Sequence, residues 1–342
     1  MKKTLKKLLK AFKFITIGII SLLIIFISFS VINNKIQLKK ESNILNPPGT
    51  LVKVNNKNLH VYAEGNGNLT CVFMAGLGNV APIVEMKALY KNMSDQYRIA
   101  IVDRAGYGFS DISEDSRDID TILAETRKAL SLAGEKPPYV LFPHSVSGLE
   151  AIYWAQKYPE EVKAIIGLDI SYPDVYVEAF SDAKEASKIK SSFSTMKKFS
   201  FVTKLGIHRL IPSMYLEEPI LNSDFLSEDD KNLYKALTYK KLLNKDIINE
   251  SISLEENSKK SVALDLPTKT PLCAFIATPL SEEEKKRKSE SLNKRIELFN
   301  EYIAKFDTGK IIYIPSKHSI YLYSPEKIAR ESKEFLRSIN SK

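Results

Sequence analysis

The segment Tyr139-Val140-Leu141-Phe142-Pro143-His144-Ser145-Val146-Ser147-Gly148 runs from an apolar stretch directly into the amphipathic LEAIYWAQKY. A strand that turns this abruptly into a helix is the setting of a nucleophile elbow, which lifts a serine oxygen above a sheet and demands small neighbours. Ser147 and Gly148 are small, so Ser145 is the candidate nucleophile. The structural alternative is a serine that only caps the helix. A serine hydroxyl is a weak nucleophile until a base takes its proton, so one of four histidines must reach it. His144 adjoins Ser145, and neighbouring side chains leave a strand end in opposite directions. His60 falls in an early alternating segment and His208 in a long region without strong strands. His318 follows the last apolar run, KIIYIP, at the edge where a parallel sheet gathers its ligands, and is the expected base.

A second glycine signal competes. Gly76-Leu77-Gly78-Asn79-Val80-Ala81 follows the apolar LTCVFMA and fits a dinucleotide fingerprint, with Asp103 roughly where a ribose-binding acid would lie. A hairpin before that unit argues against it, as does the location outside the cytoplasm argued below. Cys71 and Cys273 each sit in an apolar run and read as packed thiols. The four histidines show no metal-ligand spacing, so no metal is expected, and acyl transfer through serine implies no cofactor.

The elements that must position these residues are legible. TLVKV and LHVYA flank Asn55-Asn56-Lys57-Asn58 and read as a hairpin. LTCVFMA, YRIAIVD, YVLFP, VKAIIGLD, PLCAFIA and KIIYIP are short, apolar and rich in Val and Ile, with amphipathic stretches between or after them. That alternation predicts an α/β fold, a mainly parallel sheet covered on both faces. Between VKAIIGLD and PLCAFIA lie about 90 residues of helical patterning, too many for a loop.

Taken together, FMAGLG, DRAGYGFSD, PHSVSG and SKHSIYLYSPEKIARESKEFL resemble the α/β-hydrolase superfamily, in particular its cap-bearing serine hydrolases, over residues 50 to 340. Ala75 departs from the histidine usual before the turn glycine, and Pro143 and Ser147 replace the outer glycines of G-x-S-x-G. The resemblance implies a hydrolase core over 50–170 and 263–342 with a helical cap over 171–262. It implies an oxyanion hole from the backbone N–H groups of Leu77 and Val146. It also implies an acid that holds the tautomer of His318, usually after the strand that follows the cap. That strand is PLCAFIA, followed by Thr278-Pro279-Leu280-Ser281-Glu282-Glu283-Glu284 with no aspartate. Asp169, which ends VKAIIGLD, keeps the order Ser, Asp, His and is the expected acid; Glu282 is the alternative, although Ser281 and Glu284 also fit a helix capping box. Asp103, Arg104, Gly106 and Gly108 are expected to shape a turn.

The 342 residues are 44% hydrophobic and 27% charged, the balance of a chain with a sizeable core. The formal charge of +9 is local: residues 1–40 hold nine lysines and no acid, and the remaining 41 basic residues match 41 acids. A neutral body excludes the basic face that nucleic acid would need. Phe14 to Ile32 carries no charge and is long enough to span a bilayer, with six lysines before it and three close behind. The expected organisation is a basic cytoplasmic tail (1–13), a single transmembrane anchor (14–32) and a linker (33–49), with the catalytic domain on the extracytoplasmic side of the cell membrane. A cleavable signal peptide is the competing reading. The expected function is hydrolysis of a small-molecule carboxylic ester through an acyl-enzyme. An amidase or aminopeptidase-like enzyme and an inactive binding module are the alternatives.

Overall fold

The computed structural model describes residues 2–287 and 289–340. Met1, Lys288, Ser341 and Lys342, which the expected tail and core include, lie outside the described residues. The chain begins with one helix, α1 (Lys2–Glu41), long and apolar enough to cross a membrane. The helix does not stop at Ile32: residues 33–41, expected as linker, continue it and pack against the inserted helices described below.

The hairpin follows as β1 (Thr50–Val54) and β2 (Lys57–Glu64), with Asn55 in the left-handed region at φ 52°. The pairing of Val54 with Lys57 makes the turn two residues, tighter than the four-residue stretch the side chains suggested. Each of the six apolar runs forms a strand: β3 (Thr70–Met74), β4 (Arg98–Asp103), β5 (Tyr139–Pro143), β6 (Val162–Leu168), β7 (Leu272–Thr278) and β8 (Gly309–Pro315). The sheet order is β1-β2-β4-β3-β5-β6-β7-β8, antiparallel for the pairs β1–β2 and β2–β4 and parallel beyond. Between β3 and β4 lie α2 (Pro82–Glu85) and α3 (Lys87–Lys91); α4 (Ile119–Leu132) leads to β5 and α5 (Ser147–Lys157) to β6.

The two-residue period of a strand sends alternate side chains to opposite faces. Val72 and Met74 of β3 join a core with Ile119, Leu123, Leu149 and Ile152 from α4 and α5, whereas Cys71 and Phe73 face Leu89 and Tyr90 of α3. Both cysteines are buried free thiols. The region between β6 and β7 is helical: α6 (Pro173–Ser181), α7 (Ala183–Lys204), α8 (Glu218–Leu221), α9 (Glu228–Lys241) and α10 (Lys245–Val262). Asp182, Ser227 and Asn244 cap α7, α9 and α10 with side-chain oxygens on free backbone N–H groups. After β7 come α11 (Glu282–Arg287) and α12 (Ser289–Ile303), and α13 (Pro325–Asn340) ends the fold.

The chain leaves β3 for β4 on one side and returns to β5 on the other. The carboxyl ends of β3 and β5 therefore flank the topological switch point, where open sheets of this kind hold their ligands.

Candidate active site

Ser145 stands between β5 and α5 with φ 56°, a left-handed conformation that a serine adopts only when its surroundings impose it. The surroundings are tight. Its N–H bonds Leu168 O at 3.3 Å, and its carbonyl accepts from Ser171 at 3.0 Å and Gly148 at 3.0 Å. A Cβ on Gly148 would lie 2.3 Å from Ser171 O, so the neighbour after Ser147 has to be glycine. Pro143 is tolerated because the next donor, His144 N–H, makes the bond to Met74 O at 2.9 Å.

His318 follows β8 and faces Ser145: Nε2 lies 2.8 Å from Ser145 Oγ. Its other nitrogen, Nδ1, lies 2.6 Å from Asp169 Oδ2. Asp169 directly follows β6, is buried and has φ 50°. Its Oδ1 accepts from Ala277 N at 2.7 Å and Arg295 Nη2 at 2.6 Å. Burial opposes ionisation of this carboxyl, but the His318 bond and the Arg295 charge outweigh it and hold the carboxyl below the ordinary carboxylate range. Glu282 lies elsewhere, exposed at the start of α11 with Lys285 3.6 Å away. Glu284 N bonds Ser281 Oγ at 3.2 Å, the capping use anticipated for that stretch, although the Glu284 carboxylate reaches back to Leu280 N at 3.3 Å.

The turn after β3 meets the elbow. A Cβ on Gly76 would lie 2.8 Å from His144 Nδ1 and 3.1 Å from Ser145 Cβ, so glycine is what lets the backbone of Gly76 and Leu77 approach the nucleophile. Among the described residues, neither the Leu77 nor the Val146 N–H has an intramolecular acceptor.

The other histidines have structural partners. His144 is buried, with Nδ1 3.0 Å from Asn79 Oδ1 and Nε2 3.3 Å from the His318 carbonyl. Burial and the neighbouring His318 push it down to about 3, so it stays neutral and braces the His318 loop. His60 is buried against Asp103 Oδ2 at 2.8 Å, and His208 Nε2 meets Tyr239 O at 3.1 Å. Asp103 also accepts from Phe109 N, and Gly108 N donates to Val80 O, so this stretch does shape a turn.

Four supporting residues were not singled out for these parts in the sequence. Arg104, expected only in a turn, bonds the Ala75 carbonyl at 2.7 Å, Ser147 Oγ at 3.1 Å and Glu250 of α10 at 2.8 Å. It thereby ties the β3 turn, the elbow helix and the insertion together. Arg295 lies on α12, 126 residues from Asp169, and Glu85 receives Asn79 Nδ2 at 2.5 Å. Glu217, on the insertion, accepts from Ser319 Oγ at 3.4 Å. None of these pairings has a local sequence signal.

A cavity of about 820 Å³ opens beside Asp169 and His318, walled by Tyr172, Val175, Leu292, Leu298 and Phe299. Of the aromatic rings on the insertion, Tyr172 walls this cavity, whereas Tyr176, Phe180 and Phe193 pack against the core and Phe199, Phe201 and Phe225 are exposed.

Comparison with known proteins agrees with this architecture. The uncharacterized protein YbdG of Bacillus subtilis strain 168 is 42% identical over 338 residues, 98% of this chain and 99% of its own. A haloalkane dehalogenase loop variant from Bradyrhizobium elkanii superposes with a TM-score of 0.60 at 15% identity, covering 85% of this chain and 97% of that one. A Bacillus megaterium epoxide hydrolase does so with 0.58 at 16% identity, covering 84% and 100%. The α/β hydrolase fold profile matches residues 72–193, a stretch that includes both turns at the switch point. The chain has the α/β-hydrolase fold.

Proposed function

We propose that this protein is a membrane-anchored serine hydrolase that cleaves a carboxylic ester through an acyl-enzyme. One observation carries the reading: Ser145 Oγ, His318 and Asp169 form a continuous line of hydrogen-bonded groups, 2.8 Å and 2.6 Å apart. His318 Nε2 takes the hydroxyl proton as Oγ attacks the acyl carbon, and Asp169 keeps the remaining proton on Nδ1 and faces the imidazolium that forms. The tetrahedral oxyanion is held by the N–H groups of Val146 and Leu77. His318 then protonates the departing alkoxide, and a water deprotonated by the same nitrogen releases the acid.

The anchor is α1. Its uncharged run, with six lysines ahead of it, orients the amino terminus to the cytoplasm and the hydrolase domain to the outside. Protease added to intact cells is expected to digest the domain; protection under a permeable outer surface would refute the orientation.

Fluorophosphonate labelling of the full-length chain, with a panel of p-nitrophenyl esters, tests the catalytic reading. Ser145→Ala is expected to abolish both labelling and turnover with an unchanged circular dichroism spectrum. His318→Ala is expected to match it within about tenfold, because members of one catalytic unit are not additive. Full activity in Ser145→Ala would refute the proposal, and faster turnover of aminoacyl amides than of esters would replace it with an aminopeptidase-like reading.

A further inference from the structure

Residues 199–211 link the end of α7 to a short 3₁₀ turn, Ile207–Leu210, and carry an apolar surface. Phe199, Phe201, Leu210 and Ile211 are exposed, Phe201 by 64%. Lys197, Lys198 and Lys204 border them. Exposed aromatic and aliphatic groups with a basic border suit a surface lying in a lipid headgroup layer.

The packing of α1 identifies the occupant. Gly206, with φ 76°, brings its backbone so close to α1 that a Cβ there would lie 2.4 Å from Asn34 Cβ and 2.9 Å from Ser30 O. Arg209 Nε donates to Asn34 Oδ1 at 2.6 Å, and its terminal nitrogens donate to the Glu41 carboxylate at 2.6 and 2.7 Å. The guanidinium also stacks on Tyr239 at 4.3 Å. Ser30 belongs to the uncharged run that ends at Ile32. A bilayer spanned by that run therefore has its outer boundary at the level of Gly206. The surface around Gly206 is continuous with the span itself.

The same helix leads to the candidate site. Met196 of α7 and Leu77 of the turn after β3 pack against the same buried cluster of Val80, Tyr107 and Ile247. Eight helical residues, roughly 12 Å, separate Met196 from Lys204. An acyl chain partly withdrawn from a leaflet covers that distance.

We propose that residues 199–211 lie on the bilayer that α1 spans, and that the esters cleaved at Ser145 are acyl lipids drawn from its facing leaflet. The proposal rests on the anchored serine hydrolase reading above. The three lysines favour anionic headgroups.

The test uses the full-length chain in vesicles of phosphatidylcholine and phosphatidylglycerol. Trp154, the single tryptophan, is buried in the core, so Phe201→Trp adds a distinguishable indole. Quenching of the added emission by lipids brominated high on the acyl chain is expected; emission indifferent to those lipids would overturn the docking. In the activity arm, the double variant Phe201→Asp, Ile211→Asp is expected to lose about tenfold or more on a fluorogenic diacylglycerol in the vesicles, while water-soluble p-nitrophenyl butyrate is turned over as before. Equal effects on the two substrates would overturn the lipid assignment. A chain that hydrolyses neither ester and takes no fluorophosphonate label, yet shows a quenched indole, would refute the hydrolase reading and leave the docking standing.

Discussion

His318 Nδ1 lies beside a buried carboxylate that also accepts from a backbone N–H and an arginine. Asp169→Asn keeps the shape of that contact but offers an amide where an acceptor is needed. Turnover is expected to fall on the order of 10³ to 10⁴, measured as kcat on a p-nitrophenyl ester. Glu282→Gln, altering an exposed carboxylate, is expected to leave kcat within about twofold. Similar losses in both variants would remove Asp169 as the orienting acid. Glu85 gives a separate residue-scale outcome. Burial chiefly, aided by the charge of Glu217, pushes its carboxyl up to about 8 against the bonds from Ala81 and Asn79. The folded state thus holds a proton that the unfolded chain releases near its ordinary 4.5. The resulting stabilisation is complete below about pH 4.5 and is lost as pH rises through about 8. Melting midpoints of the wild type are expected to fall relative to Glu85→Gln between roughly pH 5 and 9. Parallel curves for the two proteins would contradict this.

At the scale of elements, Arg104 joins three of them. Its fork bonds the Ala75 carbonyl in the turn after β3, Ser147 at the start of α5 and Glu250 on α10, and its guanidinium stacks on Tyr107 at 4.5 Å. Glu150 and Glu250 are buried beside it, so the cation also neutralises the insertion against the core. Arg104→Met leaves those carboxylates without their partner and is expected to cost about 3–5 kcal/mol in denaturant unfolding. Arg104→Lys restores charge but not the planar fork that reaches several acceptors at once, so it is expected to recover stability in part and kcat little. Wild-type kcat in the lysine variant would show that the fork does not position the turn after β3.

Across the whole molecule, α1 both carries the apolar run and packs on the insertion through Ser30, Asn34 and Glu41. Removing residues 1–29 is expected to release the domain from membranes with its melting midpoint retained. Removing residues 1–41 discards the Asn34 and Glu41 partners of Arg209 and is expected to lower that midpoint by several degrees, the scale of about 1–2 kcal/mol in a domain this size. Equal midpoints would mean that the packing of α1 contributes nothing to the fold.

The strands, the elbow and the apolar span were legible in the sequence, because period, turn chemistry and charge are local properties. Six apolar runs with Val and Ile specified six strands, and a serine between strand and helix marked its own position. Elimination among four histidines pointed to His318, whereas Asp169, with Glu282 as the alternative, came from what the family resemblance implies. What only the tertiary structure decided lies in pairs far apart in the chain. Asp169 meets Arg295 across 126 residues, Arg104 meets Glu250 across 146, and Arg209 meets Glu41 across 168. The site of the cavity followed the same logic: aromatic residues of the insertion carry no mark that says whether they line a pocket, fill the core or face outward. Such contacts are set by how helices pack on a twisted sheet, and a side chain's own type does not name its distant partner.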